Sequence, residues 1–159
     1  MDGIGLRTSI YCAGCLNRCE GCHNPQSWDL NGGYEMTVDR IFERVAAADM
    51  NVTFTGGDPM LQAEGFALLA ERIKRETDKT IWCYTGYLFE DCAAVPQRRR
   101  LLESVDVLVD GPFLAAERDL SLRFRGSRNQ RIIDVRRTMN NGLRIVPFAV
   151  EELPAEGCR

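Results

Sequence analysis

No apolar run in this sequence approaches the roughly eighteen residues that cross a bilayer. Residues 1–5, Met-Asp-Gly-Ile-Gly, have neither the basic region nor the apolar stretch of a secretory leader. A protein of the reducing cytoplasm with no membrane partner is the expectation. A net positive charge is missing as well. The formal net charge of -3 gives no general attraction to phosphate backbones, so nucleic acid is not expected as a partner. Internal repeats, low-complexity tracts and linkers are missing. A chain of 159 residues therefore reads as a single domain, 1–159, large enough to bury roughly 70% of its unfolded surface.

Cysteine is what the chain has in quantity. There are seven, and four of them share residues 11–25, Tyr-Cys-Ala-Gly-Cys-Leu-Asn-Arg-Cys-Glu-Gly-Cys-His-Asn-Pro, with the only histidine. A disulfide framework does not suit them, because such frameworks serve short secreted chains and an odd count cannot pair completely. A second concentration is basic. Residues 118–137 hold Arg118, Arg123, Arg125, Arg128, Arg131, Arg136 and Arg137, which taken alone read as a solvated face.

The hydrophobic pattern alternates between two periods. Residues 6–12, Leu-Arg-Thr-Ser-Ile-Tyr-Cys, suit a strand that feeds directly into the cysteine segment. Thr37 is a plausible N-cap for a helix with Val38, Ile41, Phe42, Val45 and Ala46 on one face. A strand over 51–55 then stops at Gly56-Gly57. A helix over 60–76 presents Phe66, Leu69 and Ile73; a strand over 80–84 halts at Thr85-Gly86; a short helix over 97–104 precedes a strand over 105–109. Alternation of this kind predicts an α/β fold with a mostly parallel sheet, open or curved toward a barrel. Ligands gather at the C-terminal ends of such strands, so the cysteine loop, Thr55-Gly56-Gly57-Asp58, Tyr84-Thr85-Gly86 and Asp110-Gly111-Pro112 should share one rim. Residues 138–159, with no clear period, read as a C-terminal tail or lid.

Within Cys12, Cys15, Cys19 and Cys22 several readings stand side by side. Two CxxC steps suit a structural zinc site, although zinc ribbons usually separate the pairs by about fifteen to twenty residues. A four-cysteine electron-transfer cluster needs Cys12 to turn out of its strand. A redox CxxC and a structural cysteine patch are further readings. The last uses Cys15, Cys19 and Cys22 alone, three thiolates on three irons with the fourth iron open.

That CxxxCxxC loop after a first strand resembles the signature of the radical S-adenosylmethionine (SAM) enzymes. The resemblance implies a [4Fe-4S] cluster on Cys15, Cys19 and Cys22, with SAM chelated to the open iron. Gly21, Cys22, His23, Gly56, Gly57 and Asp58 are the implied cofactor-binding residues: His23 as a planar neighbour of the adenine, and Gly56-Gly57-Asp58 in the place of a Gly-Gly-Glu segment that binds the SAM amino group. No catalytic acid or base is implied, because the cofactor carries the chemistry.

Further segments narrow the resemblance. Cys22-His23-Asn24-Pro25 is similar to the glycyl-radical-enzyme activases. Trp82-Cys83-Tyr84-Thr85-Gly86-Tyr87, Val107-Leu108-Val109-Asp110-Gly111-Pro112-Phe113 and Phe124-Arg125-Gly126-Ser127-Arg128-Asn129-Gln130-Arg131 resemble the short activating proteins of anaerobic ribonucleoside-triphosphate reductase. The resemblance implies a partial (β/α)6 radical SAM barrel. It also implies reductive cleavage of SAM and a glycyl radical on the reductase large subunit, with a low-potential electron donor such as flavodoxin. Arg128 and Asn129 are then expected to receive the glycine-bearing loop of the partner. Two other classes fit parts of the pattern: a 7-carboxy-7-deazaguanine synthase-like radical SAM enzyme, and a small iron-sulfur electron carrier with Cys12 as a fourth ligand.

Overall fold

A computed structural model describes residues 2–150 of the chain. Its elements run β1 (Arg7–Cys12), α1 (Val38–Ala47), β2 (Asn51–Gly56), α2 (Ala63–Glu76), β3 (Ile81–Tyr84), α3 (Phe89–Ala94), α4 (Pro96–Leu102), β4 (Val107–Asp110), β5 (Arg131–Asp134) and α5 (Val135–Asn140). Short 3-10 turns lie at Pro25–Ser27, Pro59–Gln62 and Ala115–Glu117. No helix among the described residues is long and apolar enough to cross a membrane.

The strands form one sheet in the order β1-β2-β3-β4-β5, with β1 to β4 parallel and β5 antiparallel to β4. Strand order follows chain order. Right-handed crossovers that always advance in one direction lay their helices on one face of a sheet, and here α1 packs on α2, α2 on α4 and α4 on α3. Side chains alternate accordingly. Val52, Phe54, Ile81, Cys83, Leu108 and Ile133 point into the helix-side core with Phe66, Leu69, Ile73, Leu101 and Leu102. Trp82, Val107, Val109 and Ile132 point the other way, into a smaller core closed by Ile4, Phe124, Phe148 and Val150. There the Trp82 ring meets Phe124 and Phe148 edge to face, at 5.3 Å and 5.5 Å.

The mixed α/β class and the mostly parallel sheet agree with the sequence reading; the strand count of the implied six-unit barrel does not appear among the described residues. After β4 the chain leaves through a long loop, residues 111–130, and returns antiparallel as β5. That strand then takes a bridge from Pro147 to Ile133 and a hydrogen bond from Phe148 N to Ile132 O (2.9 Å). Residues 146–148 of the expected tail thus line β5, while 151–159 lie outside the described residues. Two boundaries differ from expectation for local reasons. Residues 59–62 form a separate turn, because Asp58 caps it by accepting from Met60 N (3.0 Å). Val105 closes the end of α4 through its N–H on Leu102 O (3.0 Å), which delays β4 to Val107. Thr37 caps α1 as read, accepting from Arg40 N at 3.3 Å.

The return strand is held by charge. Asp110 is wholly buried, accepts from Phe89 N (2.7 Å) and from Arg131 Nε (2.9 Å), and pairs with Arg131 Nη2; the same guanidinium reaches Glu90 Oε2 at 2.7 Å. These two carboxylates hold the Arg131 pKa above its ordinary value. Arg131→Ala should therefore cost about 2–3 kcal/mol in a urea titration, below the range for a fully buried pair because the guanidinium is partly open to water. A loss under half a kcal/mol would remove the pair from any account of stability.

Candidate functional site

The cysteine segment leaves β1 at the C-terminal ends of the parallel strands and folds back on itself. Gly14 N donates to Ser27 O (2.8 Å) and Cys15 N to Trp28 O (3.2 Å), closing a ring that carries Cys19 and Cys22. Inside it Cys22 N reaches Cys19 O (3.1 Å). Positive φ angles at Gly14 (97°) and Gly21 (71°) bend this ring, a conformation open to glycine at little cost. Asn24, buried at the base, donates from Nδ2 to Gly56 O (3.2 Å), while its own carbonyl accepts from the Ser27 hydroxyl (2.7 Å).

Gly56 and Gly57 lie directly beneath. Gly57 N donates to Cys12 O (2.7 Å) and Asp58 N to Gly14 O (2.8 Å). A methyl group on Gly57 would stand 2.2 Å from Gly14 O, and one on Gly56 would stand 2.5 Å from Cys12 N. The close approach that these glycines permit is thus made by the cysteine loop's own backbone.

Asp58 is fully buried and spends both oxygens within the protein. Oδ1 accepts from Met60 N (3.0 Å) and Thr85 Oγ1 (2.8 Å); Oδ2 accepts from Gly86 N (3.0 Å) and Asn17 Nδ2 (3.2 Å). Burial pushes its carboxyl pKa up, against the pull of those donors. This carboxylate ties the ends of β2 and β3 to the cysteine loop, which brings the rim segments together as the topology requires.

The thiols of the described residues divide into two groups. Cys15, Cys19 and Cys22 are half-buried and unpaired by disulfides, whereas Cys12, Cys83 and Cys92 are buried in the core. Burial, then the neighbouring Asp58, lifts Cys12 to about 12, a poor start for a thiolate ligand. Cys19 is raised mainly by burial, with the Phe113 backbone N–H working against it and Cys15 and Cys22 near enough to add to it. Among the described residues no group of three His, Cys, Asp or Glu side chains already stands in a metal-ligating arrangement. The donor chemistry nevertheless fits an iron-sulfur cluster, for three soft sulfur donors sit on one short loop whose ends are pinned to the sheet. Metal binding commonly completes the ordering of such sites.

Other expected residues take these places. His23 is exposed beside Cys22. Gly21 faces the Phe113 ring, 3.4 Å from where its side chain would begin, so the cysteine loop touches the 111–130 loop. Arg128 is largely exposed and sends Nε and Nη2 to Asp119 Oδ2 (3.1 and 3.0 Å). Asn129 donates to Pro112 O (2.8 Å), and Gln130 bridges Gly111 O (3.1 Å) and Gly126 N (2.9 Å). These amide side chains close their own loop. Sequence reading passed over Asn17 and Asn24 as site residues; only Asn24, within Cys-His-Asn-Pro, carried a signal.

Comparison with known proteins adds the following. A protein-family model described as "4Fe-4S single cluster domain" matches residues 1–133. The anaerobic ribonucleoside-triphosphate reductase-activating protein of Haemophilus influenzae is 36% identical over 141 residues, covering 82% of this chain and 88% of that protein. Its counterpart in Vibrio cholerae gives the same identity and coverage. That of enterobacteria phage T4 is 34% identical, covering 83% of this chain and 86% of that protein.

Proposed function

Because the chain belongs to the anaerobic ribonucleoside-triphosphate reductase-activating proteins and carries a 4Fe-4S single cluster domain, we propose that it activates such a reductase as a radical SAM enzyme of the cytoplasm. The observation that carries this reading is the Cys15-Cys19-Cys22 ring, seated on Gly56-Gly57-Asp58 at the C-terminal ends of parallel strands. Cys15, Cys19 and Cys22 would hold a [4Fe-4S] cluster, and with an electron from a donor such as flavodoxin that cluster and SAM would supply the radical chemistry that makes a glycyl radical on the reductase large subunit.

The chain's own residues hold and shield. Cys15, Cys19 and Cys22 bind the irons, and Cys12 stays in the core. Gly21, Cys22 and exposed His23 border the adenine. Gly56, Gly57 and Asp58 hold the loop from beneath and would border the SAM amino group. Trp82, Phe124 and Phe148 close the non-helical face of the sheet. Arg128 and Asn129 shape the 111–130 loop, against which the reductase's glycine segment lies. The four parallel strands form one wall of a partial (β/α)6 barrel, and residues 138–159 serve as its tail or lid within a single domain.

The test is anaerobic. The reconstituted, dithionite-reduced protein is given SAM with and without an anaerobic reductase, deoxyadenosine is assayed, and the electron paramagnetic resonance spectrum is recorded. A glycyl-radical doublet in the reductase is the expected result. Deoxyadenosine without a doublet would leave SAM cleavage standing and remove the reductase as target; an intact reduced cluster that leaves SAM untouched would overturn the whole reading.

A further inference from the structure

One side chain in the cysteine ring is engaged from three directions. The Asn17 carboxamide nitrogen donates to Asp58 Oδ2 at 3.2 Å and lies 3.9 Å from Cys15 Sγ. Its seat is narrow: a methyl group on Gly86 would stand 2.2 Å from that nitrogen. Gly86 N donates to the same Asp58 oxygen (3.0 Å), while Thr85 Oγ1 and Met60 N hold the other oxygen. The carboxylate therefore has no freedom to turn, and neither has the amide it receives.

A carboxamide nitrogen carries two hydrogens. Asp58 takes one, and the other is left facing sulfur. Hydrogen bonds to ligating sulfurs withdraw charge from an iron-sulfur centre and favour its reduced state, which is one of the recognised determinants of potential. We propose that Asn17 tunes the cluster by donating an N–H to Cys15 Sγ, with Asp58 and Gly86 as the positioning residues that aim it. This rests on the assignment of Cys15 as an iron ligand. It gives the Asp58 carboxylate a task other than ligand contact, and it gives Gly86 a reason to lack a side chain that turn geometry does not supply.

The experiment is a redox titration of the reconstituted holoprotein, followed by the paramagnetism of the reduced cluster. Asn17→Leu keeps the side chain's approximate shape and removes the N–H. Gly86→Ala leaves Asn17 in place but evicts its amide from the seat. Both should hold four irons and titrate at a more negative midpoint than the wild type; midpoints equal to the wild type overturn the proposal. Should Asn17→Leu fail to retain its cluster, the wild type decides alone. With isotopic nitrogen confined to asparagine side-chain amides, the reduced cluster should show a hyperfine coupling to that label, and its absence overturns the proposal. Cys15→Ala separates the two levels. Four irons retained in that variant sink the ligand assignment and this proposal with it, whereas a lost cluster beside an unshifted Asn17→Leu midpoint sinks the proposal alone.

Discussion

Gly57→Ala is expected to leave the sheet folded and the protein unable to hold a cluster. The added methyl would meet Gly14 O at 2.2 Å, Gly14 C at 2.7 Å and Ser27 O at 2.9 Å, all of them backbone atoms. Backbone cannot rotate away as a flexible side chain does. The contacts from Gly57 N to Cys12 O and from Asp58 N to Gly14 O must open together, and with them the closure between Gly14 and Ser27 that shapes the ring. Overpacking of this kind costs about 3 kcal/mol. Because the collision falls on the loop and not on the strands, circular dichroism should change little while iron and sulfide content after reconstitution falls by more than tenfold. Full iron content in the variant would mean that the loop does not rest on Gly57.

The second large effect separates the cysteines. Cys15→Ala, Cys19→Ala and Cys22→Ala should each abolish deoxyadenosine formation and the reductase radical, since losing one of three protein ligands leaves too few for a four-iron cluster. Cys12→Ala should keep both the cluster and the activity. Its thiol is buried in the helix-side core and held protonated up to about 12 by burial and by Asp58, so its loss costs packing alone, about 1 kcal/mol. If Cys12→Ala lost its cluster while a loop cysteine proved dispensable, the ligand set would have to be redrawn around the strand.

Much of the front of the molecule is legible in the sequence because local signals there agree. β-branched and aromatic runs marked β1 to β3, the last two ended by glycine, and the Thr37 cap with its helical spacing marked α1. The later elements are harder for stated reasons. Arg131-Ile132-Ile133-Asp134 is four residues long with charges at both ends, so it merges with the basic stretch; only pairing with β4 and the Arg131–Asp110 contact make it a strand. The helix Phe89–Ala94 has six residues and no side-chain cap, too little for a periodic signal. At the site, spacing left several cysteine sets open, and the resemblance to the radical SAM loop picked out Cys15, Cys19 and Cys22. The work of Asp58 was hidden, because three of its four donors, Asn17, Thr85 and Gly86, lie far from it in sequence. Asn17 was hidden for the same reason.

The one-way order of the strands also bears on how the chain acquires its shape. Each parallel strand docks beside the one made just before it, but across a crossover of 44, 29 or 25 residues (Arg7 to Asn51, Val52 to Ile81, Trp82 to Val107), and parallel pairings of such separation are slow to close. Most of what seats the cysteine ring, from Cys12 to Gly86, lies in the front of the chain, and Phe113, which meets Gly21 and Cys19, joins it after β4. On a ribosome, where domains form in the order of synthesis, the nest for the irons can be assembled while the returning strand has yet to emerge.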